Sequence, residues 1–103
     1  MGLVDKQNEF TGMVVLLIRY AHSKGYQVTL GDAFRSEQVL YGHPNSLHRK
    51  RLAIDLNLFK GGKYLTTTDD HREMGEYWEE IGGSWGGRFN DANHYSLEHE
   101  GMK

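Results

Sequence analysis

None of the 103 residues is a cysteine, and that absence narrows the possible folds more than any residue present. Disulfides and thiolate ligands are ruled out. A chain of this length buries too little apolar surface for two independent cores, so residues 1–103 are expected to form a single domain. Its one core must hold without covalent staples, while thirteen glycines enlarge the entropy lost on folding. A metal bound only by the native state would stabilise such a domain. Its ligands would have to be His, Asp or Glu.

Hydrophobic residues make up 38% and charged residues 25% of the chain, close to the globular average, which argues against disorder. Twelve basic and fourteen acidic residues leave a formal charge of −2. Nucleic-acid binding needs a clustered basic face, and His48-Arg49-Lys50-Arg51 is too short to supply one. The longest apolar run, Met13 to Ile18, falls far below the roughly 20 residues of a membrane span. The N-terminal residues lack the charged, apolar and small-residue pattern of a signal peptide. The expectation is therefore a protein made in the cytoplasm, with no transmembrane segment and no nucleic-acid partner.

Spacing places a helix over Lys6 to Ser23, with Phe10, Met13, Val14, Leu17 and Ala21 on one stripe. Val15, Leu16 and Ile18 between them suggest a helix covered on more than one side. Gln27 to Ala33 has strand character. Phe34 to Tyr41 reads as a short helix or turn, and Gly42-His43-Pro44-Asn45 as loop. The clearest strand is Leu52 to Phe59, with Leu52, Ile54, Leu56 and Leu58 on one face and Ala53, Asp55, Asn57 and Phe59 on the other. Gly61-Gly62 makes a turn, and Lys63-Tyr64-Leu65 can start a return strand. A second helix fits Asp69 to Ile81, capped by Thr67 or Thr68 and turned inward through Met74, Tyr77, Trp78 and Ile81. A Trp85-Gly86-Gly87 turn and a final strand at His94 to Leu97 follow. Helices and strands mix without a βαβ rhythm, which gives the α+β class.

Six histidines are present, and three call for no special role. His22 ends a helix, His71 starts one and His99 lies in a polar tail; surface positions are expected for all three. His48, Asp55 and His94 have more telling settings. Asp55 interrupts an aliphatic strand, where a carboxylate must be paired or bound to a metal. Arg49, Lys50 and Arg51 are the alternative partners. Two neutral imidazoles and a carboxylate form a catalytic zinc set with a fourth position open for water. Asp91, three residues before His94, is either a turn former or the carboxylate that moves the proton.

Ser46-Leu47-His48-Arg49-Lys50-Arg51-Leu52-Ala53-Ile54-Asp55 resembles the S-x-H-x-x-G-x-A-x-D motif of zinc D-alanyl-D-alanine peptidases. That family includes the vancomycin-resistance type dipeptidases and carboxypeptidases and the L-alanyl-D-glutamate endopeptidases of phage endolysins. Asp91-Ala92-Asn93-His94 resembles its second motif, and Trp85-Gly86-Gly87-Arg88-Phe89 resembles the W-G-G-x-[FW] lead-in of the endolysin branch. The likeness spans Arg35 to Tyr95. Arg51 departs from it, standing where the motif has Gly. An Asp at position 91, where the dipeptidases have Glu, points to the endolysin-like subgroup.

The resemblance implies Zn2+ held by His48, Asp55 and His94, with Asp91 and Arg35 catalytic and Arg35, Gln38 and Ser46 meeting substrate. It implies a small antiparallel sheet carrying zinc on one face with helices packed on the other. The implied activity is hydrolysis of peptidoglycan stem peptides at the L-alanyl-D-glutamate bond, by a monomer that reaches the cell wall after release. Cleavage of a D-alanyl bond is the alternative. A catalytically silent wall-binding module and a virion structural component whose zinc serves only stability are the others.

Overall fold

The computed structural model describes residues 2–36 and 46–103. The expected element over Phe34 to Tyr41, the loop at 42–45 and Gln38 therefore lie wholly or largely outside the described residues.

The first helix, α1, spans Leu3–Ser23 and buries Phe10, Met13, Leu17 and Ala21. These four recur at helical spacing and form a single stripe. Val15 and Leu16 remain exposed while Ile18 is half-buried against the core, so the expectation of wider cover holds at Ile18 and is corrected at Val15 and Leu16. Strand β1, Gln27–Leu30, stops short of Ala33. Strand β2, Ala53–Lys60, keeps the predicted alternation: Ile54, Leu56 and Leu58 are buried, while Asp55, Asn57 and Phe59 are only half-buried. Strand β3, Lys63–Leu65, returns beside it after the Gly61-Gly62 turn.

Helix α2 spans Thr68–Glu80. Thr67 caps it through a reciprocal pair, accepting from the Asp70 amide while the Asp70 carboxylate accepts from the Thr67 amide. Both orphan donors are thereby satisfied. Strands β4, Ser84–Trp85, and β5, His94–Ser96, complete a five-stranded antiparallel sheet in the order β1-β2-β5-β4, with β3 also on β2.

The core lies between the aliphatic face of β2 and the two helices. Phe10 meets Trp78 edge-on at 5.8 Å, and Trp78 meets Tyr95 edge-on at 6.1 Å. Each fully buried leucine among Leu17, Leu56 and Leu58 contributes about 2 kcal/mol through removal from water. The helices claim one face of the sheet, which leaves the Asp55 face for chemistry. This is the α+β arrangement expected.

Candidate metal centre and cleft

His48 arrives on a 3-10 turn, Leu47–Lys50. Ser46 caps that turn, its hydroxyl oxygen accepting from the His48 amide at 3.3 Å. Arg51 ends it in the left-handed region (φ 56°, ψ 36°), the conformation that glycine adopts at no steric cost. Arg51 thus makes the bend here without a glycine. The Arg51 guanidinium lies 4.1 Å from the Phe34 ring centroid, a cation–π contact that offsets part of the strain.

Asp55 and His94 face each other directly across β2 and β5. Opposed residues in an antiparallel pair hold their Cβ atoms about 5 Å apart on the same face. Asp55 Oδ1 lies 3.2 Å from His48 Nε2 and 3.7 Å from His94 Nδ1. Two ligands at zinc bond lengths subtend a tetrahedral edge of about 3.3 Å. The His48, Asp55 and His94 ligand atoms all fall within 4.8 Å of one another. Oδ1 is buried and accepts no hydrogen bond among the described residues. A buried carboxylate oxygen left so costs stability unless an ion takes it. The residues present therefore fit a zinc ion. Burial pushes the Asp55 carboxyl up, but the His48 and His94 imidazoles outweigh it and hold the pKa down at about 2. The oxygen is charged at neutral pH, as a ligand must be.

Asp91 is exposed, with Oδ2 at 3.7 Å from His94 Nδ1. The approach to it is a second 3-10 turn, Gly86–Phe89, closed by Asn90 in the left-handed region at φ 63°. The Asp91 amide donates to Gly86 O at 2.8 Å, and the His94 amide donates to Asp91 O at 3.1 Å. A Cβ on Gly86 would stand 2.1 Å from Asp91 O and 2.6 Å from His94 Cβ. No other residue fits without moving both. The Trp85 indole N–H donates to Ala92 O at 2.7 Å, between the acid and the histidine. The Trp-Gly-Gly segment, expected as a simple turn, is thus a strand end and a 3-10 turn that together set the Asp91–His94 loop.

A cleft of about 610 Å³ opens over these groups, lined by Arg35, Ser46, His48, Asp55, Phe89, Asp91, His94 and the 101–103 segment. Six predicted site residues are brought together in it; the seventh, Gln38, lies outside the described residues. Arg35 is tied in twice: its amide donates to His48 O at 3.2 Å and its guanidinium pairs with Asp32 at 3.3 Å. Met102 had no sequence signal. His71, expected at the surface, is instead 1% exposed. Leu65 O can only accept, so His71 Nε2–H donates to it at 3.2 Å, and Nδ1 accepts from the Tyr95 hydroxyl at 2.9 Å. The missed signal was spacing, since His71, Met74, Gly75 and Trp78 share one helical stripe.

An acid beside a cluster of two imidazoles and a carboxylate, at zinc-like separations in an open cleft, is the constellation of a metal-dependent hydrolase. The family model described as D-alanyl-D-alanine carboxypeptidase matches residues 41–97, more than half of the 103. The chain belongs to that family: it is a zinc metallopeptidase that acts on peptidoglycan peptides. Comparison with curated proteins finds no match. Among the described residues, no helix is long and apolar enough to cross a membrane.

Proposed function

We propose that this peptidase cuts the L-alanyl-D-glutamate bond of peptidoglycan stem peptides, in the manner of phage endolysins, with His48, Asp55 and His94 as its zinc ligands. The observation that carries the site is the buried Asp55 Oδ1, which accepts no hydrogen bond among the described residues and lies within reach of both imidazoles. Bound zinc supplies a Lewis acid and lowers the pKa of water. Asp91 takes a proton from the attacking water and returns it to the leaving amine. Its exposure suits that task, because a base in contact with solvent can exchange protons between turnovers. Ser46 holds His48 in place through its cap, and Arg35 orients substrate from the cleft wall.

The choice of bond rests on Trp85-Gly86-Gly87 and on an Asp at position 91. Gly86 touches the Asp91 carbonyl, so the lead-in and the shorter acid belong to one local design. Pairing of Arg35 with Asp32 leaves less positive charge for a terminal carboxylate, which also favours an internal bond. In this reading the chain acts as a single-domain monomer, released to reach the wall.

The family description favours a second reading, cleavage of a D-alanyl bond. Mass spectrometry of digested peptidoglycan separates the two. New D-glutamate amino termini support the endopeptidase; released D-alanine replaces it with the carboxypeptidase. Reducing sugar ends without new amines would overturn both, since glycan cleavage needs a different carboxylate pair.

A further inference from the structure

The metal ligands and Asp91 explain how a peptide bond is cut; they do not explain the apolar part of the cleft. Phe89 and Met102 line it together with the polar groups. Phe89 is 48% exposed, with its ring edge-on to the His94 imidazole at 5.7 Å. Met102 is half-buried and also rests on the core cluster.

Met102 is held there by a tight hairpin. The His99 amide donates to Met102 O at 3.0 Å, and the Met102 amide donates to His99 O at 2.9 Å. Between them Glu100 (φ 49°) and Gly101 (φ 80°) are both left-handed, the mark of a type I′ turn. A glutamate in that region costs about 1 kcal/mol or more. Such strain persists where the surroundings fix it, and it gathers at functional sites.

We propose that Met102 and Phe89 form an apolar subsite for the side chain of the residue whose carbonyl is cut, and that the His99–Met102 turn sets its size. This rests on the peptidase reading given above. The carbonyl must approach the cluster of His48, Asp55 and His94, and its own side chain branches one bond away, within the span of the same cleft. A flexible thioether and an aromatic edge accept a methyl group and offer it no hydrogen bond. The subsite therefore takes an alkyl side chain on the acyl side, and Met102 and Phe89 limit how long that side chain can be.

The test is steady-state kinetics on stem peptides differing only in that acyl residue: alanine, 2-aminobutyrate, valine and leucine. Met102→Ala should raise kcat/KM for valine relative to alanine by roughly tenfold or more, the scale of methylene discrimination in an apolar pocket. Met102→Leu should keep the wild-type order, and Phe89→Ala should relax it as Met102→Ala does. Zinc content should stay at the wild-type level throughout, which separates pocket size from damage to the metal site. Unchanged preference in both alanine variants, with turnover intact, overturns the subsite and leaves the peptidase reading standing. If the wild type cuts D-alanyl bonds instead, the same series built on that bond reads the same pocket. A wild type that cuts neither series overturns the peptidase reading and the subsite together.

Discussion

Gly75 sits inside α2, where alanine is ordinarily the better helix former by about 1 kcal/mol. Here the substitution should act in the opposite direction. A Cβ at position 75 would stand 2.0 Å from Trp85 Cδ2 and 2.3 Å from Cε2, against about 3.5–4 Å for an ordinary contact. The indole cannot simply retreat: a Cβ on Gly87 would stand 2.2 Å from its Cζ2, so Gly87 presses on the ring as well. Nor can it turn freely, because its N–H is bonded to Ala92 O at 2.7 Å. Overpacking costs about 1–3 kcal/mol, and loss of the indole hydrogen bond adds about 1 kcal/mol. Against the helix gain, Gly75→Ala should lose about 1–3 kcal/mol net.

The effect should reach the site, since Ala92 lies between Asp91 and His94. Gly12→Ala is the internal control. It lies in α1, where an added Cβ would meet nothing within 4 Å among the described residues, and should gain up to about 1 kcal/mol. Urea denaturation of both variants with zinc chelated, followed by zinc titration, reads the two consequences separately. Gly75→Ala should move the midpoint down and weaken zinc binding; Gly12→Ala should move the midpoint up and leave zinc binding alone. If Gly75→Ala is as stable as wild type, the Trp85 packing described above is wrong.

His48→Ala, Asp55→Ala and His94→Ala should each lose bound zinc by metal analysis, whereas Asp91→Ala should keep it and lose turnover by roughly 10²-fold or more; an Asp91→Ala enzyme of normal rate refutes the proton role. Arg51→Gly should be more stable than Arg51→Ala by about 1–2 kcal/mol in thermal or urea melts, because both lose the contact with Phe34 and only alanine retains the left-handed strain. Burial lowers the His71 pKa, so the unfolded chain binds the extra proton more readily and stability rises with pH. That contribution is complete above the unfolded value of about 6.5 and is lost as pH falls through the lower folded one. His71→Phe should flatten the fall between neutral and acid pH in zinc-free melts, and an unchanged slope would refute it.

What could be read in advance follows from how local each signal is. Strand β2 was legible because its aliphatic alternation needs no partner to be seen, and Asp55 stood out against it. Helix α2 was legible from its inner stripe and a threonine cap, which the sequence leaves open between Thr67 and Thr68 and the structure places at Thr67. Val15 and Leu16 misled because apolar composition does not say how many neighbours a helix has. His71 misled because its burial depends on Tyr95 and Leu65, which come from β5 and the end of β3. Met102 gave no signal because its place in the cleft depends on a two-residue turn folding back on His99. The Asp55–His94 opposition lies between these cases: each residue could be singled out, while their register emerges only from the β2–β5 ladder.

That ladder also explains how Arg51 can stand where glycine is usual. The two strands carrying Asp55 and His94 are entered by similar means. A 3-10 turn, Leu47–Lys50 or Gly86–Phe89, ends in a left-handed residue, Arg51 or Asn90, just before the chain runs toward its strand. Each such residue costs about 1–2 kcal/mol for a side chain with a Cβ, and less for asparagine, which visits this region readily. Arg51 carries the larger cost and has the Phe34 contact against it. In return, the first bend delivers His48 beside Asp55, and the second delivers Asp91 beside His94. Strain of this kind is held only while the strands remain paired, and a metal shared by both sides of the pair would hold them so. Zinc binding and the two bends should therefore stabilise one another. In Arg51→Gly the first bend is unstrained before zinc arrives, whereas in Arg51→Ala part of the binding energy must go into closing it. Arg51→Gly should therefore bind zinc more tightly and show the larger gain in melting temperature on zinc addition. An equal gain in the two variants would mean that the bends are fixed by the core alone.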